Sequence, residues 1–292
     1  MIKSVAFAAE TPGPKLLVLG AVHGNEPCGA VAIPHVIAEL MTGKRNLVRG
    51  RVTFVPVCNP RAYAAGERYI DRNLNRYLVP QAHPDCYEAR LGNILCGLLA
   101  DCDALLDLHS TPRGNEPHVY VEPSNPAEYA YAAHLGLRTL ITGWEDVYAA
   151  TDRKAVEQIH PDEGIGTEQA VRRRGGLAAL VECGQDGDPQ AVEVAYRAIH
   201  NALKHFGMVE EKALASGATR LVRMTKVYYR DDNGAFTRPW RDFDPVEAGE
   251  PMAIRANGTR LCAPANGLVV MPQPDCALGQ EWFYFGVEET RD

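Results

Sequence analysis

KLLVLGAVHGNE, residues 15–26, passes from an unbroken apolar stretch straight into a polar turn. Four consecutive apolar residues, Leu16–Leu19, show no polar alternation, which predicts a strand over Lys15–Gly20 buried on both faces, as in a parallel sheet. Outward from it, Gly29–Leu40 has helical spacing, with Pro34 expected to kink or restart the helix. Val52–Val57 reads as a strand ending at Asn59-Pro60, and Ala104–Leu108 and Ala178–Val181 as two further buried strands. Arg90–Ala100, Ala127–Leu135 and Ala191–Phe206 read as helices. Strands alternating with helices argue for an α/β domain with a mostly parallel or mixed sheet flanked by helices. After Met208 the helical patterns end, and short extended runs separated by Gly, Pro, Asn and Asp take over. The expected organisation is therefore an α/β domain over 1–208 and a smaller all-β domain over 209–292.

Of the 292 residues 46% are hydrophobic and 23% charged, as in an ordinary soluble enzyme. The net charge is −7, and the basic residues are scattered apart from Arg172–Arg174, so no basic face for nucleic acid is expected. No apolar run approaches the length of a membrane span, and no signal-peptide pattern opens the chain, so the expected location is the cytoplasm. Eight cysteines occur without a CxxC pair, which favours buried free thiols over disulfides.

Three polar clusters each follow an apolar strand: His23-Gly24-Asn25-Glu26, Asp107-Leu108-His109-Ser110-Thr111 and Val181-Glu182-Cys183-Gly184. Ligands collect at the carboxyl ends of strands in open α/β sheets, so one sheet edge would bring all three together. A His and a Glu three apart can face one centre, and His109 would supply a third ligand. Two imidazoles, a carboxylate and one open position suit a catalytic zinc. Each cluster alone has a blander explanation, a satisfied structural histidine or an ordinary salt bridge. Glu182 at a strand end is a candidate general base. Asp107 is left unassigned, as a side chain that strand alternation could aim at the opposite face. Arg68–Arg76 (RYIDRNLNR) is dense in polar residues, and an arginine fork there could clamp a carboxylate or face an oxyanion.

GAVHGNE, RYIDRNLNR, LLDLHST and LVECGQ, in this order, closely resemble the succinylglutamate desuccinylase/aspartoacylase family of zinc-dependent deacylases, itself related to zinc carboxypeptidases. The resemblance covers roughly residues 15–205. It implies a carboxypeptidase-like α/β domain with a smaller β domain, and one Zn2+ per chain on His23, Glu26 and His109. It makes Glu182 the catalytic carboxylate. Asn75 and Arg76 match the pair that holds the substrate's α-carboxylate, and Arg68 the arginine that polarises the scissile carbonyl. In one place the chain departs from aspartoacylases, which carry a Thr-Arg pair before the catalytic strand, its arginine gripping a second carboxylate. Here Gly166-Thr167-Glu168-Gln169 stands there, leaving Arg172 as the candidate substitute.

Residues 249–269 resemble the barrel-sandwich of biotinyl and lipoyl carriers, but no lysine follows Lys226, which excludes a covalent carrier. The expected activity is hydrolysis of the amide bond of a small N-acyl amino acid. The expected partner is that substrate, with neither nucleic acid nor membrane, and a homo-oligomer is compatible with the sequence. The competing readings are a zinc carboxypeptidase on short peptides and a non-catalytic zinc-binding protein.

Overall fold

The computed structural model describes residues 1–113, 116–122, 124–149, 165–213, 215, 217 and 220–289. In chain order the elements are β1 (Val5–Ala8), β2 (Lys15–Gly20), α1 (Cys28–Met41), β3 (Arg51–Val55), α2 (Pro60–Ala65), a 3-10 turn (Leu74–Arg76), α3 (Tyr87–Ala100), β4 (Ala104–Thr111), β5 (His118–Tyr120) and α4 (Pro126–Ala133). There follow β6 (Thr139–Thr142), α5 (Trp144–Ala149), α6 (Thr167–Arg172), β7 (Leu177–Gln185), α7 (Pro189–His205) and β8 (Arg220–Tyr229). The remaining strands are β9 (Ala235–Phe236), β10 (Asp244–Val246), β11 (Pro251–Ile254), β12 (Arg260–Cys262), β13 (Gly267–Val270) and β14 (Glu281–Glu289). No helix among the described residues is long and apolar enough to cross a membrane.

The chain forms two compact units, Met1–Arg138 with Ile159–Ala218, and Thr139–Gln158 with Thr219–Asp292. In the first, the strands run β1-β3-β2-β4-β7-β5. The central four are parallel and the edge strands antiparallel, a mixed sheet. Every residue of β4 is buried, including Asp107, so this strand lies at the centre of the layers. On one side Leu17, Leu19, Leu91, Leu95, Leu99 and Leu105 form a core that also takes in Leu74. Fully burying a leucine contributes roughly 1.5–3 kcal/mol, so Leu74 pins the 3-10 turn that carries Asn75 and Arg76.

Where sequence expects a break at Pro34, α1 runs continuously through it from Cys28 to Met41. Its first turn is pressed onto the sheet at Gly29, where a Cβ would lie 2.8 Å from the Gly20 Cα and 2.9 Å from the Leu108 Cβ. Only glycine permits that approach. At the end of β3, Asn59 caps α2 by accepting from the Ala62 N–H, and Pro60 occupies the first helical position, the pairing those residue types favour.

In the second unit β6 is parallel to β8, and β8-β14-β13-β10 continue antiparallel. A separate three-stranded sheet runs β12-β11-β9. Its core gathers Trp240, Met252, Trp282, Phe283 and Phe285, with Tyr228 stacked on Phe283 at 4.5 Å between ring centres. The Trp240 indole N–H donates to the Met252 carbonyl at 2.8 Å, which satisfies its one buried polar atom. The unit includes α5, so it is β-rich rather than all-β.

Candidate metal centre and active site

After β2 the backbone turns at Ala21, whose φ of 45° is in the left-handed region that non-glycine residues rarely occupy. The turn delivers His23 and Glu26 to the end of the strand. Gly24 lies against α2 so closely that a Cβ would be 2.2 Å from the Ala62 carbonyl carbon, and its N–H donates to the Arg68 carbonyl at 3.1 Å. A larger residue at 24 would collide with the backbone of α2 at Ala62 and Tyr63.

His23, Glu26 and His109 are all buried, and one ligand atom from each lies within 4.8 Å of the others. The His23 Nδ1 is 2.8 Å from Glu26 Oε1, and the His109 Nδ1 is 2.7 Å from Glu26 Oε2. The outer nitrogen of His23 reveals its tautomer. Asn73 Oδ1 accepts the Asn75 backbone N–H at 3.0 Å, which identifies it as the amide oxygen. The His23 Nε2, 2.9 Å from that oxygen, must therefore be the protonated nitrogen. His109 Nε2 lies 3.0 Å from the Asp107 carboxylate at an angle that makes no hydrogen bond, so this contact is an ion-pair approach and leaves the tautomer open. Burial opposes charge on His109, but Asp107 and Glu26 raise its pKa well above the ordinary imidazole value, so either a proton on Nδ1 or a metal cation can join it to Glu26. Two imidazole Nδ1 atoms and a carboxylate converging within 4.8 Å of one another, with Asn73 and Asp107 behind the imidazoles, fit zinc.

Burial, reinforced by Arg68, pushes the His23 pKa down to about 4, which keeps this imidazole neutral as a ligand must be. Burial also opposes charge on Glu26, but His23, His109 and Arg68 hold its carboxyl well below the usual range.

Asp107 is the residue that sequence reading left out. It lies two positions from His109 on β4, so both side chains face the same side of the sheet, not opposite sides. Its Oδ2 also accepts the Thr167 hydroxyl at 2.5 Å. The spacing Asp-x-His on a strand was the available signal. Asp186 ties the clusters together: it accepts the Ser110 hydroxyl at 2.6 Å and the Asn25 amide at 3.2 Å.

The loop bearing Arg68, Asn75 and Arg76 is held by Glu88 of α3, which is fully buried. Its carboxylate accepts the backbone N–H groups of Ile70, Asp71 and Arg72 at 2.8, 3.0 and 3.2 Å, and the Asn59 amide at 3.1 Å. Asp71, Cys86 and Glu88 also cluster at metal-ligand range. Asp71 accepts from the Tyr87 N–H and Cys86 from the Ala89 N–H, so these atoms serve as backbone caps. Arg68 reaches the metal cluster, donating to Glu26 Oε1 at 2.6 Å while its side chain is 44% exposed. Asn75 is buried and its Oδ1 accepts the Thr167 N–H at 2.9 Å, leaving the amide nitrogen as its remaining donor. Arg76 donates through one guanidinium nitrogen to the Asn75 carbonyl at 2.8 Å.

Glu182 on β7 is the register partner of His109 on β4. Its Oε2 is buried and accepts no hydrogen bond among the described residues. Burial, with the negative charge of Glu26 added, pushes its pKa up to about 8 against the pull of His109 and Arg68. A divalent cation on the ligand cluster would draw it back down.

Arg172 is committed elsewhere. Its guanidinium holds the fully buried Glu128 through Nε at 2.9 and 3.2 Å, and Glu128 also accepts the N–H groups of Glu122 and Ala178. Arg172, the candidate substitute for a substrate-gripping arginine, thus turns its Nε and Nη2 towards Glu128.

Strand-end imidazoles, a carboxylate and a second buried carboxylate on a mixed sheet make up a candidate metal site. The family model for the succinylglutamate desuccinylase/aspartoacylase catalytic domain matches residues 12–174, and the chain belongs to that family. An N-alpha-acetyl-L-2,4-diaminobutyric acid deacetylase of Halomonas elongata is 28% identical over 205 residues, 68% of this chain and 56% of that protein. An N-acyl-aromatic-L-amino acid amidohydrolase (carboxylate-forming) of Rattus norvegicus is 37% identical over 110 residues, 33% of each chain. A probable aspartoacylase of Prochlorococcus marinus is 33% identical over 126 residues, 41% of each. The matched stretches thus span about half or less of these relatives. Among solved structures, a succinylglutamate desuccinylase/aspartoacylase from Rhodobacter sphaeroides superposes with a TM-score of 0.79 at 19% identity, covering 99% of this chain and 90% of the other. The ectoine utilization protein EutE (DoeB) from Ruegeria pomeroyi gives 0.74 at 19% identity, covering 97% and 88%. These two likenesses establish the fold.

Proposed function

We propose that the protein is a zinc-dependent deacylase that hydrolyses the amide bond of a small N-acyl amino acid. The observation that carries this reading is the convergence of His23 Nδ1 and His109 Nδ1 on the Glu26 carboxylate, with Glu182 beside His109 on the next strand. The deacetylase, amidohydrolase and probable aspartoacylase among its relatives support amide hydrolysis over a binding role.

His23, Glu26 and His109 would hold the zinc, which when bound supplies a Lewis acid and an acidified water. Glu182 takes the proton from the attacking water on the carboxylate oxygen that no described donor occupies, and returns it to the departing nitrogen. Arg68, exposed on one side and anchored to Glu26 on the other, faces the acyl oxygen as charge develops. Arg76 and the Asn75 amide nitrogen receive the free α-carboxylate. Products are an amino acid and a short carboxylic acid.

The test is a panel of N-acetyl, N-formyl and N-succinyl amino acids alongside dipeptides, read by release of the free amine from protein of measured zinc content. Turnover of the acylated amino acids over dipeptides is expected. Cleavage of dipeptides in preference would make the protein a carboxypeptidase. A zinc-replete protein inactive on the whole panel would leave a binding role.

A further inference from the structure

Resting on the deacylase reading and deepening it, we infer that Glu168 makes the site selective for N-acyl amino acids whose side chain carries a positive charge, the acylated diamino acids. Glu168 is set against the site by its neighbours. The Thr167 N–H is bound to Asn75 and the Thr167 hydroxyl to Asp107, which stands behind His109. The Gly166 N–H is closed off by Gln169 at 2.6 Å. The start of α6 is thus pinned between the candidate carboxylate-binding pair and the metal cluster, and Glu168 is the next residue in the chain. Its carboxylate lies within electrostatic reach of Arg76 and His109.

Among the described residues the carboxylate also lacks a strong partner of its own. Its side chain is only 13% exposed, and its ion pair with Arg172 NH1 is 3.9 Å long, beyond hydrogen-bond range. Arg172 instead points its Nε and Nη2 at Glu128, at 2.9 Å each. No described residue donates a hydrogen bond to Glu168. Burial accordingly disfavours its charged form and raises its pKa, with Asp107 adding to that and Arg172 opposing it. Among the described residues the neighbouring cations are assigned, Arg68 to Glu26 and Arg76, in the proposed reading, to the α-carboxylate. An anionic substrate side chain would meet uncompensated negative charge at Glu168, whereas an ammonium would supply the missing counter-ion and three donors.

The test uses the zinc-loaded full chain and acetate release. Nα-acetyl derivatives of 2,4-diaminobutyrate, ornithine and lysine are compared with uncharged analogues of matching length, Nα-acetylcitrulline included, and with Nα-acetylglutamate. We expect kcat/KM for the best cationic substrate to exceed that of its uncharged analogue by about tenfold or more, with the glutamate derivative slowest. In Glu168→Gln that ratio should collapse to within about twofold, and in Glu168→Arg the order of cationic and anionic substrates should invert. A wild type that prefers the glutamate derivative overturns the inference, even where both variants fail to fold. So does a folded Glu168→Gln that keeps the cationic preference. Turnover without regard to charge leaves the deacylase reading standing and removes this one. Absence of acetate from every substrate removes both.

Discussion

His109 and Glu182 are register partners on the parallel strands β4 and β7, so the outermost metal-ligand candidate and the candidate proton carrier project from one face of the sheet. Neither depends on a long loop for its position. The sheet ladder holds them side by side, and the base requires no ordering when substrate arrives.

That arrangement predicts the behaviour of Glu182→Gln. The amide keeps the shape but cannot accept a proton, so zinc content and unfolding should match the wild type while kcat falls on the order of 10²–10⁴-fold. Turnover within a few-fold of wild type would remove Glu182 from the proton path.

The metal cluster is checked by metal content. His23→Ala and His109→Ala each reduce three ligands to two and should abolish stoichiometric zinc along with activity. Asp107→Asn is the more discriminating variant. The amide removes the negative charge that stands beside His109 Nε2. Zinc affinity measured by chelator competition should drop roughly 10–100-fold. An unchanged affinity would mean that Asp107 does not orient His109.

Arg172→Ala separates a structural arginine from a substrate-binding one. Glu128 would keep two backbone donors but lose its only described charged partner while fully buried. Breaking a buried pair in this way typically costs about 3–5 kcal/mol, to be read as a lower urea midpoint. Substrate ranking in the folded fraction should stay as in wild type. Normal stability with altered ranking would reverse the assignment.

Glu39 gives a pH-dependent test away from the site. This nearly buried carboxylate accepts from Lys44 at 2.8 Å and Tyr196 at 2.6 Å, with His200 Nε2 at 3.0 Å, joining α1 to α7. Burial works against its charge, yet the hydrogen bonds from Lys44 and Tyr196 hold its pKa down to about 2. A depressed pKa contributes stability above the ordinary carboxylate range and loses it as pH falls through the folded value. Glu39→Gln should therefore be less stable than wild type by about 1–3 kcal/mol at neutral pH. The gap should narrow from about pH 4.5 down towards 2. A gap independent of pH would show that the charge on Glu39 contributes nothing.

The parts of this architecture legible in sequence are those with strong local patterns. β2, β4 and β7 show as apolar runs, and α3 and α7 as helical spacings, because both faces or one full stripe of each is buried. His23, Glu26 and His109 can be grouped because each follows such a run. β5 and β6, at three and four residues, are too short to show a period, and their pairing partners lie far along the chain. The membership of β6 and α5 in the second unit depends on pairing with β8, which a local change of texture after Met208 cannot register. The fate of Arg172 depends on Glu128, 44 positions away, so only the folded chain shows which acid it serves.

Glu88 grips the backbone of residues 70–72 rather than their side chains, and does so from a separate helix. The path of residues 70–72 is thereby uncoupled from their side-chain identity. Side chains at 70 and 72 can be exchanged while the backbone keeps its path, provided that no proline removes an N–H at 70, 71 or 72. One buried glutamate outside the site thus leaves these two positions open to diversification.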